Sequence, residues 1–183
     1  MNRPPPSLLQ DLEAYHRRYP EESEVYTRFV QKVTQEADNC LYRENLEGHL
    51  TSSAWVINAE ATHVLLLHHR KLDRWLQPGG HADGDPDLLA SARREVEEET
   101  GLKQLTQLEA GIYDLDIHRI PARGDTPAHD HFDVRYIFQA QAHAMPQANE
   151  ESHHVEWVPI NELEPRLHES SILRMVRKLN QGQ

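Results

Sequence analysis

Three glutamates, Glu95, Glu98 and Glu99, are spaced so that a single helix would bring their carboxylates together. Residues three and four positions apart lie on the same face of an α-helix, and these three are related in that way. Gly79 and Gly80 precede them and would let the backbone approach a ligand closely. Hard oxygen donors of this kind suit Mg²⁺ or Mn²⁺, which commonly bridge to substrate phosphates. Three glutamates alone would equally suit a solvated acidic face, but the spacing of the whole segment favours a divalent-metal site.

The segment that must position these acids carries the signals of one helix. Asp85 is typical of an N-cap, and Pro86 suits the first helical position, where its missing N–H costs nothing. No further Gly or Pro intervenes before Gly101, a residue that favours the left-handed conformation at a helix end. The sequence therefore predicts a helix from Pro86 to Thr100. Its apolar stripe, beside the acids, would be Leu89, Ala92 and Val96.

The run from Gly80 to Leu102 resembles the signature of the Nudix hydrolases, Gly-x5-Glu-x7-Arg-Glu-U-x-Glu-Glu-x-Gly-U, where U is a bulky aliphatic residue. It matches eight of the nine specified positions, and Pro86 stands where the family has Glu. In the family, that Glu mainly supports the loop and the start of the helix. Its electrostatic role could pass to a neighbouring acid, either Asp83, Asp85 or Asp87.

The resemblance implies a metal-dependent hydrolase that cleaves a phosphoanhydride bond in a nucleoside diphosphate derivative or a related diphosphate. The Gly80 carbonyl, Glu98 and Glu99 would hold Mg²⁺ or Mn²⁺, and Glu95 would be a further ligand or the base that activates water. Arg94 would orient these acids by ion pairing. Such an arrangement fits the reaction, because metal ions neutralise charge that develops on phosphate oxygens and lower the pKa of bound water.

Family members often draw a further metal-binding acid from the loop before a late strand. In this chain Glu151, six residues before Trp157, is the best match, and Glu150 lies beside it. The alternative is a pair of exposed loop acids with no role in metal binding.

Histidine is the other unusual feature, with 13 in the chain and several near the proposed site. A later stretch alternates His, His and Asp at positions 129, 131 and 133, which would share one face of a strand. One hypothesis is a second metal site, since His and Asp at this period can converge on a cation. The other is a polar wall that binds the substrate or a hydrogen-bonded strand edge. The candidate substrate-binding residues are His81, Arg70, His129, His131 and Asp133.

The remaining patterns predict an N-terminal helical arm over residues 1–48 and a main domain over residues 49–183. The arm would contain two helices, at about 7–18 and 22–37, and would be structural or dimer-forming. Alternation and short apolar runs in the main domain predict strands near residues 50–57, 63–68, 104–110, 112–118, 132–142 and 157–159. Further helices are predicted near 160–167 and 170–179. This order indicates an α+β (mixed α/β) fold and resembles the Nudix fold, a mixed β-sheet sandwiched between α-helices.

Composition narrows the classes of partner. With 30 Asp and Glu against 19 Lys and Arg, the net charge of −11 argues against binding a nucleic-acid backbone. A single cysteine, Cys40, excludes an internal disulfide and suits a reducing compartment and a buried apolar position. With neither a signal peptide nor an apolar span, we expect a cytoplasmic protein that binds a small diphosphate or nucleotide and no membrane. The resemblance is also consistent with a homodimer.

Two other functions are weighed against hydrolysis. A non-catalytic Nudix sensor would bind a nucleotide without cleaving it, but such domains usually lose the core acids that this chain retains. Isopentenyl diphosphate isomerases share the fold but need a catalytic cysteine, and Cys40 lies in the predicted arm. The markers of NADH pyrophosphatases, ADP-ribose hydrolases and diadenosine polyphosphate hydrolases are missing at their expected places. The chain therefore resembles a Nudix group with Pro-Gly-Gly-His before the helix and His-x-His-x-Asp after it, without an assignable substrate.

Overall fold

Eight strands form one mixed sheet in the computed structural model, which describes residues 6–167 and 170–181. The strands are β1 (His49–Ile57), β2 (His63–His69), β3 (Arg74–Leu76), β4 (Gly79–His81), β5 (Leu105–Gln107), β6 (Asp114–Ile120), β7 (His129–Ala140) and β8 (Ser152–Pro159). The main path through the sheet runs β3-β2-β1-β7-β5, while β4 pairs with β1, β6 with β7 and β8 with β2. Strands β1 and β7 run parallel, and the other strand pairs of the described chain are antiparallel.

Five α-helices accompany the sheet within the described residues: α1 (Pro6–Arg18), α2 (Ser23–Glu36), α3 (Leu88–Thr100), α4 (Leu163–Arg166) and α5 (Ser170–Gln181). Short 3-10 turns at Pro20–Glu22, Ala37–Leu41 and Ile160–Glu162 connect them to neighbouring elements. The helix predicted at residues 160–167 is thus split into a 3-10 turn and the short α4. No helix in the described ranges has both the length and the apolar character that crossing a membrane requires.

Strand β1 shows why helices cover both faces of the sheet. Its residues are all buried, and alternate side chains of a strand point to opposite faces. Leu50, Ala54 and Val56 belong to one core cluster, which also contains residues of α1, α2 and α3. Trp55 and Ile57 belong to a second cluster, which contains residues of α5. The predicted fold class, a mixed sheet between helices, is confirmed.

The N-terminal helices pack directly on the sheet. Phe29 of α2 is fully buried, and its ring meets that of Phe132 on β7 edge-on, with 5.3 Å between centroids. Cys40 is buried as predicted, at 1% exposure. The division of the chain after residue 48 stays a prediction, and residues 1–5, 168–169 and 182–183 of the two ranges lie outside the described residues.

The predicted start of α3 is wrong by two residues. Asp87 is the N-cap, because its side chain accepts a hydrogen bond from the backbone N–H of Ala90 at 2.9 Å. Asp85 accepts from the N–H of Asp87 at 2.9 Å instead, so Pro86 lies in the turn before the helix. The predicted end is confirmed, since Gly101 has a φ of 73° in the left-handed region.

Candidate functional site

The turn from β4 to α3 brings the motif glycines against the acids. The backbone N–H of Gly79 donates to Glu99 Oε2 at 2.9 Å, and the Glu99 side chain is buried. A Cβ on Gly80 would lie 2.5 Å from Cδ of Glu95, which is closer than real Cβ atoms approach other heavy atoms. Only glycine therefore leaves room for the Glu95 carboxylate at this position.

Two acids of α3, Glu95 and Glu99, have raised pKa values. The pKa of Glu99 is raised to about 8, chiefly by burial and also by the charges of Glu95, Glu151 and Glu98, while the hydrogen bond from Gly79 opposes the rise. Burial also raises the pKa of Glu95, against the lowering effect of Arg94. A bound cation would stabilise the charged form of these buried, mutually repelling carboxylates. Their oxygen atoms are the ligands that a hard divalent ion prefers.

Arg94 lies where the motif predicts an orienting residue. Its Nη1 is 3.1 Å from Glu95 Oε1 and 3.5 Å from Glu98 Oε2. Arg94 and Glu98 are both largely exposed, whereas the Glu95 side chain is mostly buried. The arginine therefore pairs with one acid that is held in place and one that faces solvent.

The loop before β8 is tied to the C-terminal end of α3. Asn149 Nδ2 donates to the backbone oxygen of Glu98 at 3.1 Å, and the backbone N–H of Gln147 donates to the backbone oxygen of Thr100 at 2.9 Å. These contacts hold Glu151 near the acids, close enough for its charge to raise the pKa of Glu99. The loop position expected for Glu151 agrees with this placement, and its role in metal binding stays a prediction.

Arg70, a predicted substrate-binding residue, lies beside that loop. Its backbone N–H donates to the backbone oxygen of Glu151 at 2.8 Å, and its guanidinium donates to the backbone oxygen of Ser152 at 3.2 Å. Arg70 thus belongs to the acidic end of the site and is separated from the predicted histidines.

The predicted histidines lie on the opposite face of the sheet. Ser52 faces α3, because its hydroxyl donates to the backbone oxygen of Leu88 at 2.6 Å. Strand alternation then turns His49 to the other face, together with the residues paired beside it on β7 and β6. On β4, Gly80 faces Glu95, so His81 also points away from α3.

Five histidines meet on that face, and we call them the histidine cluster: His49, His81, His118, His129 and His131. Strand pairing places His49 and His118 on either side of His131. The ring centroid of His131 lies 4.8 Å from that of His49, 5.2 Å from those of His81 and His129, and 5.4 Å from that of His118. His49 and His118 were not among the residues predicted to form a site. The pairing of His49 with His131 joins segments about 80 residues apart and leaves no local signal, and that of His118 with His131 depends on the register of β6 against β7.

The titration of the cluster follows from its surroundings. Burial, followed by the charges of neighbouring histidines, lowers the pKa of His131 to about 2. Burial and the charge of Arg43 lower that of His81 to about 4. Burial also disfavours the charged form of His118, but its hydrogen bond to Asp116 and the charges of Asp133 and Asp116 together outweigh this and raise its pKa. His131 and His81 are therefore neutral imidazoles at pH 7.

Asp133, the third residue of the alternating pattern, lies on the same face but is already engaged. Its carboxylate accepts hydrogen bonds from Thr51 at 3.0 Å, from Ser53 at 2.8 Å and from Arg135 Nε at 2.8 Å. Among the described residues, the group with ligand atoms close enough to share an ion is His49, His129 and His131. His49 therefore stands in the place that the sequence pattern suggests for Asp133.

Comparison with protein families matches residues 47–179 to the family model described as NUDIX domain. Among solved structures, the C. elegans Ap4A hydrolase binary complex is 18% identical, with a TM-score of 0.58 over 72% of this chain and 95% of that one. The E. coli dihydroneopterin triphosphate pyrophosphohydrolase is 14% identical, with a TM-score of 0.58 over 70% and 92%. A NUDIX-family hydrolase from Clostridium perfringens is 23% identical, with a TM-score of 0.55 over 74% and 98%. At these identities the likeness shows a shared fold, and comparison with curated protein sequences gave no match.

Proposed function

This chain belongs to the NUDIX domain family, and we propose that it is a metal-dependent hydrolase that cleaves a phosphoanhydride bond in a nucleoside diphosphate derivative or a related diphosphate. The observation that carries the proposal is the contact between the glycine turn and the acids of α3. Gly79 donates to Glu99, and Gly80 leaves the space that the Glu95 carboxylate fills. An acidic helix without a ligand would have no reason to bury two of its carboxylates against a glycine turn.

The oxygen atoms available at this site indicate which metal ion would bind. Glu95, Glu98, Glu99 and the Gly80 carbonyl would hold Mg²⁺ or Mn²⁺, with Glu151 as a further ligand from its loop. When bound, the metal supplies a Lewis acid for the phosphate oxygens and lowers the pKa of a coordinated water. Which of the two ions serves, and which nucleotide or diphosphate is cleaved, are the finer parts of this proposal.

The protein's own groups have separate tasks. The Gly79 N–H fixes the orientation of the Glu99 carboxylate, and Arg94 holds Glu95 and Glu98 in relation to each other. Glu95 serves as a ligand or as the base that accepts a proton from the attacking water. Arg70, beside Glu151, is our candidate for contacting the phosphates. His81 follows Gly80 in the chain but points to the opposite face of the sheet, so its role in substrate binding stays a prediction.

The two alternatives have no specific support from the geometry. An isomerase of this fold would need a reactive cysteine, and burial raises the pKa of Cys40 to about 12, which keeps it a thiol. A sensor would need a reason for the acids to be retained, and the placement of Glu95 and Glu99 against the glycine turn favours catalysis. The cytoplasmic location, the homodimer and the absence of nucleic-acid binding stay predictions.

The test is hydrolysis of a substrate panel by the wild type and two matched variants. Nucleoside triphosphates, ADP-ribose, dinucleoside polyphosphates and nucleotide sugars are incubated with Mg²⁺ or Mn²⁺ in ¹⁸O-labelled water, and product masses identify the cleaved bond. Glu98→Gln should lower turnover by about 100-fold or more, as expected when a metal ligand is lost. Glu97→Gln is the control, because Glu97 is on the same helix but pairs with Lys103 at 3.1 Å.

The outcomes separate hydrolysis from its alternatives. Metal-dependent turnover that Glu98→Gln loses and Glu97→Gln keeps would support the proposal and name the substrate class. Turnover unaffected by Glu98→Gln would contradict the assignment of the acids. Nucleotide binding by calorimetry, with no turnover of any panel member, would favour the sensor.

A further inference from the structure

We propose that His49, His129 and His131 form a second metal site, distinct from the carboxylates of α3, that binds a borderline divalent transition ion of the Zn²⁺ class. The site lies where β1 and β7 run side by side, on the face of the sheet that points away from α3. It goes beyond the proposed hydrolysis and does not depend on it.

The ligand atoms of His129 and His131 have the spacing that zinc requires, and that of His49 lies near them. The three candidate nitrogens lie within 4.8 Å of one another, and Nε2 of His129 is 3.3 Å from Nε2 of His131. Two ligands of a tetrahedral zinc ion, each bound at about 2.0–2.1 Å, lie roughly 3.3 Å apart. A small shift of the His49 ring toward His129 and His131 would bring its nitrogen within ligand distance of the same ion.

The second nitrogens of two of these rings are held in the manner of metal ligands. His49 Nδ1 lies 3.1 Å from the backbone oxygen of Asn45, and His129 Nδ1 lies 2.9 Å from that of Pro127. A carbonyl oxygen only accepts hydrogen bonds, so each Nδ1 carries the proton and each Nε2 presents a lone pair. Histidines that bind metals usually donate their other N–H to a carbonyl or carboxylate in this way.

An unpartnered atom in the cluster supplies an independent argument. His49 is 1% exposed, and its Nε2 has no hydrogen-bond partner among the described residues. Buried polar atoms nearly always have a partner, and this one carries a lone pair on a ring whose centroid lies 5.1 Å from that of His129 and 4.8 Å from that of His131. A bound cation would satisfy it. The alternative is a dry cluster in which His131 donates one hydrogen bond to His129 and His49 stays unpaired.

The donor type separates this site from the acidic one. Neutral imidazole suits Zn²⁺, Cu²⁺ and Ni²⁺, whereas carboxylate and carbonyl oxygens suit Mg²⁺ and Mn²⁺. Within the described residues, the group close enough to share an ion contains histidines alone. One protein would therefore hold two classes of metal on the two faces of one sheet.

The test measures Zn²⁺ binding by the full-length protein after removal of any polyhistidine tag. Zn²⁺ is titrated in competition with a chromophoric chelator, and Co²⁺ is used as a spectroscopic probe, since a tetrahedral site gives a visible absorption band. His129→Asn and His131→Asn remove one ligand each. His154→Asn, at an exposed position on β8, controls for loss of a histidine, and Glu98→Gln controls for the carboxylate site.

We expect the wild type to bind one equivalent of Zn²⁺, with affinity reduced more than about 100-fold in both ligand variants and unchanged in both controls. Circular dichroism in the presence of chelator establishes that each variant is folded, and either ligand variant alone suffices if the other is not. The proposal is overturned if the folded ligand variants bind Zn²⁺ as tightly as the wild type. It is equally overturned if the wild type does not retain Zn²⁺ or if Glu98→Gln alone abolishes binding.

Discussion

Gly80 and His81 are neighbours in the chain, yet they face two different chemical environments. Gly80 lies against the carboxylate of Glu95 on the α3 side of the sheet. His81 lies among imidazole rings on the opposite side, 5.1 Å from His49 and 5.2 Å from His131 between centroids. The alternation of a single strand thus presents oxygen donors on one face and nitrogen donors on the other. Because the two donor types prefer different metals, the faces are expected to differ in what they bind.

The two faces also differ in how they are supported. The acids are held by one backbone N–H and one exposed arginine. Next to the histidine cluster, the buried Arg135 contacts three carboxylates, at 2.8 Å from Asp133, 3.0 Å from Asp116 and 3.3 Å from Asp114. Helix α5 adds two cations to the same acids, Arg174 and Lys178. The histidine face is therefore built on a rigid ionic layer, whereas the acidic face is supported mainly by one helix.

Metal removal gives the largest expected difference between the faces. A chelator should abolish hydrolysis, and added Mg²⁺ or Mn²⁺ should restore it, because oxygen donors bind these ions. One equivalent of Zn²⁺ without Mg²⁺ or Mn²⁺ should leave the protein inactive, since the histidine site would take it up. Initial rates of the metal-free protein after each addition measure this, with the substrate found in the panel. Full activity with a single equivalent of Zn²⁺ would contradict the separation of the two sites.

Asp133→Asn tests the ionic layer beneath the histidine cluster. The substitution removes one partner of the buried Arg135 and should lower the free energy of unfolding by about 3–5 kcal/mol. Urea denaturation measures the change. Asp130→Asn is the matched control on the same strand, because Asp130 pairs with exposed arginines, Arg28 and Arg119, and should cost no more than about 1 kcal/mol. Equal, small effects in both variants would mean that the layer contributes little and that Asp133 is free to serve as a predicted substrate-binding residue.

Gly80→Ala tests the acidic face alone. The added Cβ would collide with the Glu95 carboxylate, and a displacement of about 1 Å at a catalytic group can lower turnover by about 100-fold. Zn²⁺ binding at the histidine cluster should be unchanged, because Gly80 points away from it. Gly111→Ala provides the comparison for backbone strain without a collision, since Gly111 has a φ of 85° and its Cβ would meet no atom within 4 Å, so that variant should lose stability but keep its turnover. Wild-type turnover in Gly80→Ala would show that the close contact with Glu95 is not needed for catalysis.

The same contrast explains what the sequence predicts well and what it does not. The acids, their glycines and Arg94 lie within one stretch, Gly79 to Gly101, where helical spacing predicts that the acids share a face and the Nudix resemblance implies that Gly80 and Arg94 join them. The histidine cluster requires His49 on β1 and His118 on β6 to flank β7, and the long-range pairing of β1 with β7 has no signal in a single sequence. The alternating pattern at positions 129–133 correctly indicates a shared strand face. It also suggests Asp133 as a ligand, because the sequence does not reveal that Arg135, two residues later, occupies that carboxylate.

The start of α3 shows a smaller limit of the same kind. Asp85 and Asp87 flank Pro86, and each is a good N-cap by residue type. The structure uses both, Asp85 to close the turn and Asp87 to cap the helix. The proline that replaces the family's Glu is thus part of an acidic turn that supports the helix start by hydrogen bonds.

Arg94→Ala should produce the smallest effect, and its size tests how loosely the acidic face is supported. Arg94 is 44% exposed, so its pairs with Glu95 and Glu98 should contribute less than about 1 kcal/mol to stability. If the arginine orients the two acids, turnover should nevertheless fall by about 10-fold, with little change in KM, and Arg94→Lys should recover part of it. Arg93→Ala is a poor control, since Arg93 donates to the backbone oxygen of Leu105 at 2.7 Å and packs over Phe138. Lys103→Ala serves better, because it removes an exposed ion pair with Glu97 at the end of the same helix. A fall in stability without a fall in turnover would mean that Arg94 only balances charge, and that the glycine turn by itself positions the acids.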